Sequence, residues 1–473
     1  MDLNEKNENI LPNGWVLSCF GDVADYINGR AFKPSDWDKK GRPIIRIQNL
    51  TGSTNKINRY SRQIEDKYII KNGEILISWS ATLDAFIYNG EEAVLNQHIF
   101  KVKPYINKKF LYYLTKFFIN EIKQKVHGSG MQHITKNKFE ETFIPLPPLP
   151  EQHRIVAKIE ELFTKLDAGV EALKKIKKQI KQYRQAVLKY AFEGKLTEEW
   201  RIANAGKLEP ASVLLEKIKK ERKKQQGKKY KELLPVDKSK LPGLPEAWIW
   251  TRVGEIYEIV LGQSPPSSTY NSEKIGLPFY QGKAEFGEMY PSPIKWCSKP
   301  KKIAEKGDVL ISVRAPVGPT NICPEKSCIG RGLVAIRPLG GMKSSFILYL
   351  MRNFEQKLAG KGTGTTFKAI TGDRLKEFLI PLPPLLEQQK IVEEIERRFS
   401  VADNIEKIVD ENLKQAERLR QSILKKAFEG KLVPQDPNDE PASVLLQKIK
   451  AEKKKLEEEK KVSKKKKGER GVQ

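Results

Sequence analysis

Residues 144–152 read IPLPPLPEQ, and residues 380–388, 236 positions later, read IPLPPLLEQ. Each motif opens a long helical pattern that ends in the same hexapeptide, AFEGKL, at residues 191–196 and 427–432. Roughly half of the positions between these limits are identical in the two copies. Two copies of one helix, each preceded by a long region of mixed character, indicate a duplicated protein. Such a protein tends to act on a target with two matching parts.

The pattern after each motif has the apolar spacing of a coiled coil. In the first copy, the spacing alternates between three and four positions over about five heptads. The predicted seam positions are Ile155, Ile159, Leu162, Leu166, Gly169, Leu173, Ile176, Ile180, Tyr183, Val187 and Tyr190. The second seam is patchier, with small and polar residues, and its positions are Ile391, Ile395, Arg398, Ala402, Ile405, Val409, Asn412, Ala416, Leu419, Ile423 and Lys426. Because a lone helix of about 40 residues is not stable in water, the two copies are predicted to pair.

The orientation of the two helices decides the architecture. A parallel pair would place both globular regions at one end, and an antiparallel pair would place one region at each end. Residues 197–242 connect the first helix to the second globular region. This connection need not cross between distant points, because the second region starts near the end of the first helix. We therefore favour an antiparallel pair.

The regions ahead of the helices also correspond. GEILIS at residues 73–78 matches GDVLIS at 307–312, and Trp15 and Trp248 occupy matching positions, where we expect them to pack in the cores. Gly, Pro and Asn separate short strand-like runs. The predicted strands include 43–47, 75–79, 99–102, 309–313 and 333–336, and the predicted helices are 108–125 and 344–357.

The predicted fold class is α+β, with two globular domains separated by a long antiparallel two-helix coiled coil in a pseudo-two-fold arrangement. The predicted boundaries are 1–143 and 244–379 for the two domains, 144–197 and 380–432 for the two helices, 198–243 for a basic helical linker, and 433–473 for a short helix with a basic tail.

The charge of the chain indicates a polyanionic partner. The formal net charge is +27, and two basic tracts at residues 216–232 and 450–470 contribute +12 of it, which leaves +15 for the rest. Nucleic acid is the polyanion that we favour, although a lysine-rich proteome would inflate the charge in the same way. No apolar run approaches the ~20 residues that cross a bilayer, and the N-terminus is polar, so we expect a cytoplasmic protein without a membrane role.

The residues that support catalysis are sparse. The sequence contains no P-loop, no HExxH and no Asn-Pro-Pro-aromatic or Asp-Pro-Pro-aromatic tetrapeptide, and its four cysteines and four histidines do not have zinc spacing. All four histidines lie in the first copy, whereas a duplicated enzyme needs its acid–base group twice. The sequence therefore predicts binding without chemistry, with the cysteines as buried or incidental free thiols.

Both copies carry side chains that suit base edges or phosphates. The candidates in the first copy are Arg30, Lys33, Arg46, Gln48, Asn49, Trp79, Ser80, Asn96 and Gln97. The candidates in the second copy are Ser264, Ser267, Tyr270, Tyr280, Gln281, Lys283, Arg314, Arg331, Thr363, Thr365 and Lys368. Asn96-Gln97 stands where Gly330-Arg331 stands, so the two frames agree while their polar residues differ. Two such domains are expected to bind different sequences.

Several candidates have structural alternatives. Gln48-Asn49 and Asn96-Gln97 also suit ordinary turns, and Arg314 and Arg331 also suit internal ion pairs. The glycine-rich turns at 127–130 and 360–364 also suit plain connectors, and His127 and His133 suit surface positions.

The repeated order of globular domain, IPLPPLxEQ, long helix and AFEGKL resembles the specificity subunit of type I restriction–modification systems. The resemblance covers nearly the whole chain. VRAPVG at 313–318 and CIGRG at 328–332 are also typical of the target-recognition domains of that family. The first copy departs there, with WSAT at 79–82 and LNQ at 95–97, so the transfer of single residues to the first copy is weaker.

The resemblance implies that each target-recognition domain binds one half of a bipartite, asymmetric site in double-stranded DNA. The paired helices would set the spacer and dock two methyltransferase subunits. Those subunits would carry S-adenosylmethionine, and restriction/translocase subunits would use ATP and magnesium. This chain would itself bind no cofactor or metal and would not be an enzyme.

Three other functions stay open at this point. The chain could be a non-catalytic DNA-binding scaffold of another modification system, a stand-alone DNA-modifying enzyme, or a coiled-coil scaffold that does not bind DNA.

Overall fold

The computed structural model describes residues 11–80, 82–125, 135–227, 230, 232–360 and 369–469. The chain divides into two compact units. Unit 1 comprises Met1–Leu173 with Glu411–Gln473, and unit 2 comprises Lys174–Asp410. The division falls inside both long helices, so each unit contains one globular region and a part of each helix.

The described residues of unit 1 form two four-stranded sheets, β2-β9-β6-β7 and β4-β3-β8-β5, and a two-stranded sheet, β1-β10. The strands are β1 (Val16–Cys19), β2 (Ala24–Asn28), β3 (Arg42–Ile45), β4 (Asn58–Tyr60), β5 (Ile69–Ile70), β6 (Ile75–Ser78), β7 (Asp84–Ile87), β8 (Ala93–Leu95), β9 (Ile99–Pro104) and β10 (Phe143–Leu146). The helices are α1 (Phe20–Val23), α2 (Ile47–Leu50), α3 (Lys108–Lys125), α4 (Lys136–Glu140) and the first part of α5 (Leu149–Phe192).

Unit 2 has sheets of four, five and two strands in its described part, in the orders β12-β20-β17-β18, β13-β15-β14-β19-β16 and β11-β21. The strands are β11 (Ile249–Arg252), β12 (Tyr257–Leu261), β13 (Tyr270–Asn271), β14 (Leu277–Tyr280), β15 (Lys295–Cys297), β16 (Ile303–Ala304), β17 (Val309–Ser312), β18 (Thr320–Ile322), β19 (Ser327–Ile329), β20 (Leu333–Pro338) and β21 (Leu379–Leu382). The helices are α6 (Glu198–Ala203), α7 (Ala211–Gln226), α8 (Val253–Ile256), α9 (Ser344–Asn353), α10 (Glu355–Gly360), α11 (Gly372–Lys376) and α12 (Leu385–Phe428), whose last part returns to unit 1 with α13 (Ala442–Glu469).

The two globular regions share one topology. In each unit an antiparallel four-stranded sheet lies beside a mixed sheet whose central strands, β3 and β8 or β14 and β19, are parallel. The predicted α+β class is confirmed, and helix 108–125 is observed with the predicted bounds as α3. The predicted helix 344–357 is wrong as a single element, because α9 ends before Phe354, whose ring packs against Phe378 at 5.5 Å.

In unit 2, the parts of α5 and α12 run antiparallel. Lys177 Nζ of α5 lies 2.7 Å from Asp410 Oδ1 of α12, and further along α5 Arg184 lies 2.8 Å from Glu406 Oε2. Residue numbers therefore rise on α5 while they fall on α12, as predicted.

The parts of the same helices that belong to unit 1 meet through both charge and apolar packing. Arg420 of α12 forms an ion pair with Asp167 of α5, and its guanidinium carbon lies 4.3 Å from the ring centre of Phe163. Ile159 and Ile423 are buried in one core. The pairing combines a cation–π contact with apolar burial, so the ion pair is not its main source of stability.

The predicted coiled-coil seam is only partly buried. The positions that are buried as predicted are Ile155, Ile159, Ile180 and Val187 in the first helix and Ile391, Ile395, Ala402, Val409, Ala416 and Ile423 in the second. The prediction is wrong at positions that are exposed, namely Gly169, Ile176, Tyr183, Tyr190, Ile405, Asn412, Leu419 and Lys426. Near its end, α5 packs against a globular core rather than only against α12, and that core buries Leu188, Ala191 and Phe192. A two-helix seam therefore does not describe the whole buried face.

The glutamate of each EQ motif ties the start of its long helix to the globular region. Glu151 accepts a hydrogen bond from the Trp15 indole N–H at 2.9 Å, and Glu387 accepts one from the Trp248 indole at 2.8 Å. All four side chains are buried, which confirms the predicted core positions of the tryptophans. The next glutamine in each copy donates to the carbonyl oxygen of the first residue in the Pro-Pro pair, at 3.0 Å in both.

Each globular core is completed by the segment around the end of the other copy's long helix. The core of unit 1 includes Ile423, Leu424, Ala427, Phe428, Ala442 and Ile449. The core of unit 2 includes Val187, Leu188, Ala191, Phe192, Ala211, Leu214 and Ile218. The AFEGKL motif is thus a core element, and its alanine and phenylalanine are buried in both copies.

Candidate nucleic-acid interface

In unit 1, the ends of three strands meet around the loop between β8 and β9. We call residues 29–30, 45–46, 79–80 and 95–98 junction 1. Its backbone bonds are Gly29 N–H to Ile99 O at 3.0 Å, Arg30 N–H to Leu95 O at 2.9 Å, Asn96 N–H to Ile45 O at 3.1 Å, Gln97 N–H to Arg30 O at 2.8 Å and Trp79 N–H to His98 O at 3.1 Å. These bonds satisfy the backbone where the strands end, so the side chains project from a fixed frame.

Unit 2 repeats this frame. We call residues 262–263, 280–281, 313–314 and 329–332 junction 2. Its backbone bonds are Gly262 N–H to Leu333 O at 3.0 Å, Gln263 N–H to Ile329 O at 3.0 Å, Gly330 N–H to Tyr280 O at 2.8 Å and Val313 N–H to Gly332 O at 2.9 Å. Each of these bonds has its counterpart in junction 1 at the matching position of the repeat.

Close backbone approach makes particular glycines necessary in both junctions. A Cβ atom on Gly29 would lie 2.1 Å from Asn96 O, and one on Gly262 would lie 2.2 Å from Gly330 O. A Cβ atom on Gly332 would lie 2.2 Å from Gln281 O. These distances are far below van der Waals contact, so a side chain would force the strand ends apart.

Gly262→Ala is therefore expected to destabilise unit 2 by about 1–3 kcal/mol, as overpacking commonly does. Denaturant unfolding measures the loss of stability, and hydrogen exchange of the amides in residues 255–340 shows whether that loss lies in unit 2. Gly282→Ala is the matched control, because its Cβ atom would meet no heavy atom within 4 Å. Equal stability of the two variants would show that junction 2 is not tightly packed.

Two arginines of junction 1 are supported by aromatic rings. The Arg30 guanidinium donates to the Tyr60 hydroxyl at 3.0 Å and lies 5.5 Å from the ring centre of Phe32. The guanidinium carbon of Arg46 lies 5.2 Å from the ring centre of Trp37, which is 41% exposed. Stacking limits the freedom of both guanidinium groups before any ligand binds.

Junction 2 presents polar side chains around the Gly330-Arg331-Gly332 turn. Arg331, Arg314 and Gln281 are exposed. The Arg331 backbone N–H donates to Ser264 Oγ at 3.2 Å, which holds the turn. Tyr270 donates its hydroxyl to a backbone carbonyl at 2.7 Å, and burial raises the pKa of Tyr270, so the phenol stays a neutral donor at neutral pH.

The candidate cations in and beside the junctions are not neutralised by carboxylates. In the described part of the chain, no carboxylate forms an ion pair with any of Arg30, Lys33, Arg46, Lys283, Arg314 and Arg331. Other surface arginines are paired, as Arg42 is with Glu92 at 2.8 Å. The alternative of internal ion pairs for Arg314 and Arg331 is therefore wrong. Unpaired cations on fixed frames are suited to phosphates or to base edges.

The structure corrects two of the proposed contact residues and restricts a third. Tyr280 is fully buried in a core, and a side chain without exposed surface cannot contact DNA in this conformation. Asn49 accepts a hydrogen bond from the Arg46 backbone N–H at 3.1 Å and donates to Lys56 O at 3.1 Å. Its side chain therefore stabilises a local turn, which is the structural alternative given above for this residue. Trp79 is half-buried between His98 and Phe100.

The other candidates differ in accessibility. Lys33, Gln48, Gln97, Ser267 and Lys283 are exposed, and Ser80, Asn96 and Ser264 are half-buried. Thr363, Thr365 and Lys368 lie outside the described residues, as do the glycine-rich turn at 127–130, His127, His133 and residues 361–364.

Two residues in and beside the junctions, Gln263 and Trp37, were not among the candidates predicted from the sequence. Gln263 is exposed and occupies in junction 2 the place that Arg30 occupies in junction 1. The signal was present, because Gly29 and Gly262 already matched in the repeat and these residues directly follow them. Trp37 was missed because its contact with Arg46 joins segments that are separate in the sequence.

The buried thiols do not suit nucleophilic chemistry. Burial raises the pKa of Cys323 to about 11 and that of Cys328 to about 12, so both thiols are protonated at neutral pH. Cys297 is also buried, and Cys19 is half-buried. Among the helices that the structure describes, none has the length and apolar character to cross a bilayer.

Comparison with known proteins identifies the repeat. Residues 12–182 and 245–415 each match the sequence profile of the type I restriction modification DNA specificity domain. The chain belongs to the family of type I restriction–modification specificity subunits. Both matched segments contain one junction and the first part of one long helix, so the family unit is the repeat that the sequence defines.

Curated relatives match this specificity subunit along most of its length. A protein of Methanocaldococcus jannaschii, assigned as the specificity subunit of the MjaX type I restriction enzyme, is 31% identical over 89% of this chain and 94% of its own length. The EcoBI specificity subunit of Escherichia coli is 28% identical, with 96% of both chains covered.

Solved structures of proteins from type I R-M systems are similar to this chain in fold. A chain from work on the complex assembly and conformational transition of the type I R-M system has a TM-score of 0.66 at 30% identity, with 89% of this chain and 99% of that chain covered. The HsdS subunit from Thermoanaerobacter tengcongensis has a TM-score of 0.50 at 30% identity, with 89% and 98% covered.

Proposed function

We propose that this specificity subunit binds double-stranded DNA in the cytoplasm and that junction 1 and junction 2 each bind one half of a bipartite, asymmetric site. The observation that carries the proposal is the pair of junctions. Four of their backbone bonds coincide position by position, while their polar side chains differ and, among the described residues, their cations pair with no carboxylate. Cations beside the junctions, such as Lys33 and Lys283, would set position through phosphate contacts, and the differing side chains of the junctions would select bases.

The long helices supply the second part of the proposal. Antiparallel pairing of α5 and α12, supported by Lys177–Asp410 in unit 2 and Asp167–Arg420 in unit 1, suits a rigid spacer between two half-sites. We propose that the same helices dock two methyltransferase subunits and that restriction/translocase subunits join through that complex. S-adenosylmethionine, ATP and magnesium would then belong to the partners, and this chain would carry no cofactor of its own. The names of the relatives, all specificity subunits of type I restriction enzymes, support this assignment.

Selection from random double-stranded DNA by the complex of this chain with its methyltransferase subunits tests the proposal. We expect two different short motifs at one fixed separation, and affinity that falls steeply with salt because cations contact phosphates. A single motif, no motif, or a variable separation would contradict it. The chain without its partners is the control for catalytic activity. Methyl transfer or DNA cleavage by the chain alone would contradict the proposal that it only recognises DNA.

A further inference from the structure

Four positions of junction 1 have structural counterparts in junction 2. The backbone bonds that they or their direct neighbours make establish the pairs without reference to side chains. The pairs are Arg30 with Gln263, Arg46 with Gln281, Ser80 with Arg314, and Gln97 with Arg331. Three of the four pairs exchange an arginine for a glutamine.

At the strand ends, junction 1 has the arginine and junction 2 has the glutamine, whereas in the loop this arrangement is reversed. Junction 1 has arginine at the ends of β2 and β3 and glutamine in the loop after β8. Junction 2 has glutamine after β12 and β14 and arginine in the loop after β19. Arginine is suited to a bidentate contact with guanine O6 and N7, and glutamine is suited to adenine N6 and N7. The two frames therefore carry these two side chains in opposite arrangements.

The surroundings of one pair support the equivalence independently. Trp37 and Tyr270 each directly follow a short 3-10 turn, Pro34–Asp36 and Ser267–Thr269. Trp37 lies under the Arg46 guanidinium, and Tyr270 lies beside Gln281, its counterpart. An aromatic ring thus supports the same position in both units, whichever polar side chain occupies it.

The loop pair is the most accessible. Gln97 and Arg331 are both exposed, and the structure records no side-chain hydrogen bond or ion pair for either in the residues that it describes. Arg331 also stands between two closely packed glycines, since a Cβ atom on Gly330 would lie 3.2 Å from Ser264 Oγ and one on Gly332 would lie 2.2 Å from Gln281 O. Its Cα position is therefore fixed while its side chain is free to meet a ligand.

We propose that these four matched positions determine base specificity, and that the two half-sites exchange guanine for adenine at the bases that face Gln97 and Arg331. The inference rests on the proposed function and extends it to named residues and to a class of base. It assigns Arg331 to guanine in one half-site and Gln97 to adenine in the other.

Reciprocal replacement in the complex with the methyltransferase subunits tests it. Arg331→Gln gives junction 2 the residue of junction 1, and Gln97→Arg does the reverse. Selection from random DNA is expected to show that Arg331→Gln shifts one base of one half-site from guanine towards adenine by roughly 10- to 100-fold. Gln97→Arg is expected to shift one base of the other half-site from adenine towards guanine, with the unaltered half-site unchanged in each case.

The outcomes separate the inference from the proposed function. Arg42→Gln, which removes the same charge from an exposed arginine that pairs with Glu92 outside the junctions, is the matched control and should leave both motifs unchanged. If the unaltered complex yields two motifs and the exchanges leave every base preference as it was, the inference fails and the proposed function stands. A uniform loss of affinity for all sequences would make Arg331 a phosphate contact and would also overturn it. Absence of any motif with the unaltered complex would reject the proposed function itself.

Discussion

Replacement of Glu387 by alanine is expected to lower the stability of unit 2 by about 3–5 kcal/mol, because it leaves a cation poorly solvated and unpaired. The Glu387 side chain is fully buried. It accepts hydrogen bonds from the Trp248 indole at 2.8 Å, from the Thr197 hydroxyl at 2.7 Å and from the Arg201 guanidinium at 2.7 Å. Arg201 is itself only 15% exposed, so water cannot fully replace the lost carboxylate.

Denaturant unfolding of the full chain, with hydrogen exchange to assign the transition to unit 2, measures this loss. Glu387→Gln keeps an acceptor for the indole and should lose less. Glu151→Ala is the matched variant in unit 1, where the carboxylate has the neutral donors Trp15 and Gln435. Its expected loss is smaller, about 1–3 kcal/mol, since neutral donors are less costly to leave unpaired. A Glu387→Ala loss no greater than that of Glu151→Ala would show that the charge on Arg201 is irrelevant to the site.

Removal of residues 434–473 is expected to destabilise unit 1 by roughly 5 kcal/mol or more, through the loss of buried and partly buried apolar side chains. The deletion removes Ala442 and Ile449, both buried in the core of unit 1, and Leu445 and Leu446, which are partly buried against it. It also removes Asp439, which Arg154 holds at 2.6 Å, and the Ala442 N–H that donates to Gly14 O at 2.9 Å. Unit 1 would thus lose core area and paired polar groups together.

Hydrogen exchange distinguishes a local loss from a general one. Amides of residues 11–80 should exchange faster in the truncated chain, while those of residues 245–340 should keep their rates. A shorter deletion of residues 460–473, which leaves Asp439, Ala442 and Ile449 in place, is the control. Unchanged exchange in residues 11–80 after the longer deletion would mean that the segment is dispensable for unit 1.

Comparison of the two copies predicted more than periodicity within either copy. The long helices lie inside the predicted segments 144–197 and 380–432, as Leu149–Phe192 and Leu385–Phe428, and the strands within GEILIS and GDVLIS are found in equivalent sheets. A chance pattern would not recur 236 residues later, so a repeated motif reflects a structural requirement that both copies share. The heptad pattern has no such check. It placed Tyr183 and Tyr190 in a seam, where they are 46% and 53% exposed.

In the candidate site too, some residues could be predicted from the sequence and others could not. Residue type alone placed Arg331, Gln97 and Arg46 among the contact residues, and the structure brings all three to the junctions. Residue type also selected Tyr280, which is buried, since a tyrosine at a strand end faces the core or the solvent according to the pleat. Gln263 was passed over although the match of Gly29 with Gly262 pointed to it, and its bond to Ile329 O shows that it takes the place of Arg30.

The sequence by itself determined the duplication, the α+β class, the family and the presence of the two long helices, because each of these follows from a repeated motif or from local chain chemistry. Only the tertiary structure decided which helix faces are buried, which polar side chains stay accessible and which positions of the two junctions correspond. Those properties depend on neighbours far away in the chain, such as the end of α5 in the core of unit 2 and α13 in the core of unit 1.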